Sequence, residues 1–302
     1  MLPLAVVGNV NVDLILGPAA PWPIPGSEII VDHSDLRVGG SAANSALTLE
    51  ALGADFQFVA NTGADFYGAW MRDELAPRSA GWTIADGQST VSVGITHPDG
   101  ERTFFTNTGH LLELGWPEVR DGIDWPALAD GWLLLCGIFL SPRMSRDFAA
   151  LSDHCRRHSV RVALDTGWPP EGWEGETRDS ARGWLPGTDC LLVNEAEAAA
   201  LSGQADPRLA GRALLCEMPP DGIVVVKLGP DGALVFSETE EIRVPAPAVR
   251  VVDTIGAGDV FNAGFLKALA DGCSLTEATK RGVRTASRAI STFPRSYDGL
   301  SG

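Results

Sequence analysis

The sequence predicts an α/β fold in which a mainly parallel sheet carries helices on both faces, and three observations lead to it. Short apolar runs alternate along the chain with segments whose apolar residues recur at helical spacing, the order that builds a parallel sheet. Six of the short runs are almost entirely apolar, as strands buried on both faces are. With 302 residues, 45% of them hydrophobic, the chain can form one large domain or one domain with a small appendage.

The predicted elements follow this alternation in chain order. One helix begins with Ser41 as its N-cap and stops at Gly53, because Ser caps helices and Gly ends them. The stretch 164–184 is the longest segment that resembles a loop. The core strands are predicted at 4–10, 56–60, 132–137, 160–165, 190–194 and 223–227, and helices at 41–53, 143–157 and 257–270.

Two segments depart from the alternation and predict a small accessory sheet. Residues 27–38 and 90–106 show the period-two pattern of antiparallel strands, and Pro98, Asp99 and Gly100 suit a hairpin turn in the second segment. Such a sheet could cover a ligand as a lid or form an oligomer contact. The sequence favours neither.

Charge and cysteine usage narrow the class of protein. The 39 acidic and 23 basic residues give a net charge of -16 without any Lys/Arg run, which argues against a nucleic-acid partner. The apolar N-terminus lacks a basic region and meets Asp13 early, so we expect a first strand there and no membrane partner. Five scattered cysteines without a Cys-x-x-Cys pair favour a reducing cytoplasm over a disulfide framework or a zinc site.

The most informative local feature is DTIGAGDVF, residues 253–261. If a helix begins within Gly256, Ala257 and Gly258, its first N–H groups and the positive end of its dipole form an anion hole. Asp259 would lie within one turn of the anion, where a general base is needed for a hydroxyl to attack phosphorus. A glycine-rich turn kept for packing is the alternative. No P-loop motif occurs, and no G-x-G-x-x-G follows the first strand.

Short motifs along the chain resemble those of the ribokinase-like (PfkB) family of carbohydrate kinases. The segment DTIGAGDVFNAGFL is similar to the loop that supplies the family's anion hole and catalytic Asp. In the family's order come GNVNVD at 8–13, GGSAAN at 39–44, NTGADFYG at 61–68, NEAE at 194–197 and KLGPDG at 227–232. The resemblance covers roughly the whole chain.

The resemblance implies a ribokinase-like three-layer α/β/α core with a mainly parallel central sheet and a small β-sheet lid. The core would comprise residues 1–13, 39–87 and 109–302, and the lid residues 14–38 and 88–108. It also implies an enzyme that uses ATP and Mg²⁺, with a monovalent cation near Asp253 as a further option, to phosphorylate a primary hydroxyl of a free sugar or nucleoside. A homodimer through the lid is a further option. Two alternatives stay open, a sugar-phosphate kinase of this family and a non-catalytic nucleotide- or sugar-binding regulator.

The same resemblance implies roles for individual residues, each with a plain structural alternative. Asp13 would bind substrate hydroxyls at the carboxyl end of the first strand, or cap a turn. Glu197 would hold Mg²⁺ through water, or simply begin a helix. The implied sets are catalytic Asp259 with Gly256, Ala257 and Gly258; substrate-binding Asp13, Gly39, Gly40 and Asn44; ATP-binding Asn194, Lys227, Gly229, Gly232 and Thr254; and Glu197 for the metal.

One segment departs from the family pattern. Many members have an Asp-x-Asn-x-Arg segment after the central strand, whereas this chain keeps Asp165 but continues with TGWPPEGW. Arg37 and Arg102 are the basic candidates that remain near the substrate end, and both could point to solvent. We therefore expect an uncharged acceptor, because a phosphate group needs clustered Arg or Lys. The roles of His110 and Trp168 stay open.

Overall fold

A computed structural model of the protein describes residues 1–99 and 101–292. The strands are β1 Leu4–Gly8, β2 Asn11–Gly17, β3 His33–Gly39, β4 Gln57–Val59, β5 Asn61–Gly63, β6 Thr83–Ala85, β7 Val91–Thr96, β8 Arg102–Thr106, β9 Trp132–Cys136, β10 Arg161–Asp165, β11 Cys190–Asn194, β12 Ile223–Lys227, β13 Ala233–Phe236 and β14 Glu241–Val244. The α-helices are α1 Ser41–Ala51, α2 Phe66–Glu74, α3 Trp116–Gly122, α4 Trp125–Leu128, α5 Pro142–Arg157, α6 Glu176–Trp184, α7 Glu195–Ser202, α8 Pro207–Leu215, α9 Ala257–Ala270 and α10 Leu275–Ala289.

The central sheet has eight strands in the order β14-β13-β12-β11-β10-β9-β1-β4. Every neighbouring pair from β12 to β4 is parallel, and β13 and β14 extend one edge in antiparallel fashion. All six predicted core strands belong to this sheet, which confirms the mainly parallel sheet. The short strands β13 and β14 were not predicted.

Helices cover both faces of the central sheet because side chains alternate along each strand. Val6 and Leu134 pack on one face with residues of α1, α9 and α10. Their sequence neighbours Val7 and Leu133 pack on the other face with α3, α5, α7 and α8. This arrangement is the predicted three-layer α/β/α core. Among the described helices, none has the length and apolar composition to span a membrane.

A separate sheet of four strands, called the lid sheet below, has the order β3-β2-β7-β8. β7 and β8 form the predicted hairpin, where the His97 N–H donates to the Glu101 carbonyl at 2.8 Å. Gly100 of the predicted turn lies outside the described residues. β2 spans residues 11–17, so the predicted boundary between residues 13 and 14 falls inside a lid strand.

The strand predicted over 27–38 begins only at His33. Its partner β2 pairs Gly17 with His33, and Pro18 follows, which has no N–H to continue the ladder. Residues 27–32 therefore have no strand to pair with, although their apolar pattern is that of a strand.

Two other local predictions are wrong. Ser41 is the first residue of α1, and the N-cap is Gly40 with a φ of 94°. Only glycine fits there, because a Cβ atom would collide with the Asn9 carbonyl. The predicted loop 164–184 contains α6, whose Ala181 and Trp184 lie three residues apart and pack together into the core.

Candidate active site

Three polar residues end neighbouring strands at the carboxyl edge of the central sheet. Asp165 is the last residue of β10, Asn194 of β11 and Lys227 of β12. β11 pairs with both neighbours, and Asn194 and Lys227 are partners in its ladder. Open α/β folds bind ligands at this edge, so these strand ends are candidates for one site.

The glycine loop starts helix α9 beside this edge. Gly256 is the N-cap with a φ of 70°, which glycine adopts without strain. No side chain among the described residues caps this first turn, and although the Ala257 N–H donates to the Thr254 carbonyl at 3.2 Å, the positive end of the helix dipole faces an approaching anion. A Cβ atom at Gly258 would lie 3.3 Å from Lys227 Nζ, which places the ammonium group directly beside the loop.

Asp259 lies in the first turn of α9 and is held by two residues of α1. Asn44 Nδ2 donates to Asp259 Oδ2 at 2.8 Å, and Ser45 Oγ donates to the Asp259 carbonyl at 3.3 Å. The structure thus brings the residue predicted as general base into contact with a residue predicted to bind substrate.

The predicted position of Asp13 is wrong. β1 ends at Gly8, the chain then enters the lid sheet directly, and Asp13 is the third residue of β2. Its buried carboxylate accepts a hydrogen bond from Asn11 Nδ2 at 2.7 Å. A Cβ atom at Gly39 would overlap that carboxylate, so the glycine makes room for Asp13 itself.

Lys227 is the centre of a buried polar network that includes Asp165 and Asn262, neither of which was predicted as a site residue. Lys227 Nζ donates to Asp165 Oδ2 at 2.9 Å and to Asn262 Oδ1 at 3.2 Å, and Asn262 Nδ2 donates to the same Asp165 oxygen. Burial, the largest influence, opposes the charge of Lys227, but the carboxylates of Asp165, Glu197 and Asp259 outweigh it and raise its pKa. An ammonium group has three N–H donors, so a third remains for another oxygen.

Glu197 forms a capping box with Asn194 at the start of α7. The Asn194 N–H donates to Glu197 Oε2 and the Glu197 N–H donates to Asn194 Oδ1, both at 2.8 Å. Burial and then the charge of Asp165 raise the pKa of Glu197 to about 7, against the opposing effect of Lys227. A nearby divalent cation would favour the charged carboxylate, and carboxylate and amide oxygens suit Mg²⁺. Glu195 is exposed and lines an open groove.

A cavity of about 560 Å³ lies beside the glycine loop. It is bordered by α9, α10 and the segment after β14, and its wall is mostly apolar. Asn194 lines instead the adjacent open groove, which also reaches Lys227. The cavity suits an apolar group joined to an anion, because its wall meets the anion hole. Residues predicted to bind ATP that line it are Lys227, Gly229, Gly232 and Thr254.

Both lid arginines contact the loop that leads into α9. Arg37 Nη1 donates to Asp253 Oδ2 at 2.8 Å, and Arg102 donates to Thr254 Oγ1. The alternative that they point to solvent is therefore wrong. Asp253 Oδ1 accepts the Ile255 N–H at 2.9 Å, so both oxygens of this carboxylate accept from protein donors. A monovalent cation near Asp253 stays a prediction, because a carboxylate has about four lone-pair sites.

The two residues whose roles were left open differ in their surroundings. His110 is buried, its Nδ1 accepts the Thr90 N–H at 3.0 Å, and its Nε2 donates to the Val10 carbonyl at 3.0 Å. Burial lowers the pKa of His110 to about 4, so it is a neutral residue that joins segments of the fold. Trp168 is 55% exposed and borders the groove that contains Asn194.

Comparison with known protein families gives a match over nearly the whole chain. Residues 1–294 match the family described as pfkB family carbohydrate kinase. The chain belongs to this family. Its activity class is accordingly that of a carbohydrate kinase, and the pfkB fold accounts for the three-layer core and the small separate sheet.

Individual members of the family align with most of this pfkB protein. The fructokinase of Klebsiella pneumoniae is 33% identical over 242 residues, which are 77% of this chain and 76% of the relative. The ribokinase structure from Thermotoga maritima has a TM-score of 0.79 at 26% identity and covers 98% of this chain and 95% of its own. The structure of Arabidopsis thaliana ribokinase complexed with ribose and ATP has a TM-score of 0.81 at 24% identity, with coverage of 100% and 97%.

Proposed function

We propose that this pfkB protein transfers the γ-phosphoryl group of ATP to a primary hydroxyl of a free sugar or nucleoside. The observation that carries the proposal is the position of Asp259, which lies beside the glycine loop and in contact with Asn44. The first turn of α9 offers N–H groups to a phosphoryl group, and Asp259 offers a carboxylate to the attacking hydroxyl. The similar Arabidopsis structure, which contains ribose and ATP, supports this choice of substrates.

In the proposed reaction the acceptor oxygen bonds to the γ-phosphorus while the bond from that phosphorus to the β,γ-bridging oxygen breaks. Asp259 takes the proton of the acceptor hydroxyl, and Asn44 holds the carboxylate in place through the 2.8 Å hydrogen bond. The N–H groups of Gly256, Ala257 and Gly258 and the ammonium group of Lys227 stabilise negative charge on the transferred group and on the departing ADP.

Asn194 and Glu197 are proposed to organise Mg²⁺ through water. A small hard cation keeps most of its own water and prefers carboxylate and carbonyl oxygens, and both side chains carry such oxygens at the strand edge. When bound, Mg²⁺ neutralises part of the charge of the ATP phosphates.

Replacing Glu197 with Gln should raise the Mg²⁺ concentration that gives half-maximal rate, by roughly tenfold, as for groups that orient metal ligands. Glu195→Gln is the matched control, because Glu195 is exposed and lies outside the capping box. Its Mg²⁺ requirement should change less. Mg²⁺ titrations of the steady-state rate measure both, and equal effects would contradict the assignment.

The same variant has a second readout that needs neither metal nor activity. The pKa of Glu197 is about 7 in the folded protein against an ordinary value of 4.5, so the folded state binds the extra proton between these pH values. Protonated Glu197 therefore stabilises the folded protein fully below a pH of about 4.5, and this stabilisation is lost as the pH rises through about 7. Gln does not titrate and still accepts the Asn194 N–H. The Tm of Glu197→Gln relative to the native protein should increase from about pH 5 to about pH 8, and a constant difference would contradict the raised pKa.

We propose further that the acceptor is uncharged. Asp13, Asp35 and Asp253 all act electrostatically on Arg37, so within residues 1–99 and 101–292 three carboxylates lie near this one guanidinium group. The rate of ADP release from Mg-ATP can be measured with fructose, ribose and adenosine and with fructose 6-phosphate and ribose 5-phosphate as acceptors. The highest kcat/KM should belong to one of the free acceptors. A consistent preference for the phosphates would favour a sugar-phosphate kinase. Nucleotide binding without turnover of any acceptor would favour a non-catalytic regulator.

We also propose that two copies of the protein form a homodimer through the lid sheet. We expect the protein in a reducing compartment such as the cytoplasm. Leu36 and Phe105 are exposed on one face of the lid sheet, joined by the cross-strand pairs of Leu14 and Val93. Exposed apolar residues on one face suit contact with a second copy. All five cysteines carry free thiols, as expected in a reducing compartment.

A further inference from the structure

Arg37 shares one face of the lid sheet with Asp13. The two residues are direct partners in the antiparallel ladder between β2 and β3. Residues directly opposite each other in such a ladder project to the same side of the sheet. Arg37 therefore lies next to the residue that we propose binds the hydroxyl groups of the acceptor.

One end of the Arg37 guanidinium is anchored to the core. Nη1 donates to Asp253 Oδ2 at 2.8 Å and lies 3.5 Å from Asp35 Oδ2. Burial, the largest influence, opposes the charge, but the hydrogen bond and the charges of Asp253, Asp13 and Asp35 raise the pKa of Arg37. The guanidinium is thus a fixed positive charge between the lid sheet and the loop before α9.

The other end of the same group lacks a partner. Nη2 is buried and makes no hydrogen bond with any residue in 1–99 or 101–292. A buried N–H of a charged group that stays unsatisfied is costly, and the fork of a guanidinium can bind two acceptors side by side. The arrangement therefore has room for one more oxygen acceptor beside Asp13.

We propose that Arg37 Nη2 binds an oxygen atom of the phosphoryl acceptor, which makes Arg37 a substrate-binding residue. The proposal rests on the proposed function and adds a contact to it. Because three carboxylates already surround this guanidinium, the oxygen is that of a neutral hydroxyl or carbonyl group, not of a carboxylate or phosphate.

This contact connects acceptor binding to the anion hole. Nη1 binds Asp253, three residues before Gly256, while Nη2 binds the acceptor held by Asp13. A bound acceptor would then fasten the lid strand β3 to the loop that begins α9. Closure of a lid over bound substrate excludes water from the transferred phosphoryl group, so an acceptor that fits Arg37 also protects ATP from hydrolysis.

Two variants separate this contact from the ion pair with Asp253. Lysine can pair with Asp253 but has no second planar nitrogen, whereas glutamine has neither the charge nor the fork. The Tm of Arg37→Gln should fall and that of Arg37→Lys should stay close to the native value. Both variants should raise KM for the free acceptor of highest kcat/KM by roughly 10- to 100-fold, the range for a hydrogen bond to a charged group. The Kd for Mg-AMP-PNP without acceptor should stay unchanged.

The outcomes distinguish this proposal from a purely structural ion pair. If Arg37→Lys restores the native KM for the acceptor, or if neither variant changes it, Arg37 does not touch the acceptor. A larger loss for fructose 6-phosphate than for fructose would make Arg37 an anchor for phosphate and overturn the neutral acceptor. A native protein that binds Mg-AMP-PNP but phosphorylates no acceptor would refute the proposed function itself, independently of either variant.

Discussion

Replacing Asp259 with Asn should lower kcat by about 10²- to 10⁴-fold, the share that a general base usually contributes. Asn has nearly the shape of Asp and keeps an oxygen for Asn44 Nδ2, so the contact between α1 and α9 should persist. It cannot take the proton of the acceptor hydroxyl. Steady-state kcat measures the loss, and an unchanged Tm and Kd for Mg-AMP-PNP would show that the fold and the nucleotide site are intact.

Asp271→Asn provides a matched control for this prediction. Asp271 follows the last residue of the same helix, at the end remote from the glycine loop, and pairs with Lys267 at 2.6 Å. Its kcat should equal that of the native protein. Native turnover by Asp259→Asn would mean that another group accepts the proton.

Replacing Lys227 with Met should lower both the free energy of unfolding and kcat/KM for ATP. The change leaves the Asp165 carboxylate buried beside Asn262 without its positive partner, and breaking a buried ion pair in this way costs about 3–5 kcal/mol. It also removes the ammonium group beside Gly258, for which we expect a loss of about 10²-fold or more in kcat/KM. Urea unfolding and steady-state kinetics measure the two effects.

A double variant separates stability from catalysis. Lys227→Met combined with Asp165→Asn removes both charges and keeps an oxygen that can accept from Asn262 Nδ2. Most of the lost free energy of unfolding should return, because no unpaired charge stays buried. Turnover should stay low, because the phosphates still lack the ammonium group. Recovery of turnover in the double variant would show that Lys227 serves only the fold.

The core strands were predictable because the residues of each strand show a recognisable pattern on their own. The runs that became β1, β9, β10, β11 and β12 are apolar at consecutive positions, and a strand buried on both faces requires that pattern whatever its neighbours are. The segment 27–32 belongs to a stretch with the period-two pattern of an antiparallel strand but forms no strand, since its partner β2 ends at Gly17. Strand formation at an edge depends on a partner, which a local pattern does not contain.

Part of the candidate site was predictable for the same reason. The loop at 256–258 and Asp259 lie within one short segment, so their proximity follows from the chain itself. The Asp165–Lys227–Asn262 network joins β10, β12 and α9 across 62 and 35 residues of sequence. Lys227 was predicted at the end of its strand, and the local signal for Asn262 was that it is a polar residue in the largely apolar helix α9, one turn after Gly258.

The amino-acid sequence alone establishes the alternation of strands and helices, the family and the glycine loop that begins α9, because each depends on residues close together in the chain. The position of Asp13 and its contact with Arg37 depend instead on how the strands pair and in which register. Asp13 belongs to the lid sheet, not to the core, and faces Arg37 only because β2 and β3 pair in one register. A shift of β3 by one residue would turn Arg37 to the face opposite Asp13, and such long-range pairing is stabilised by the packed fold as a whole.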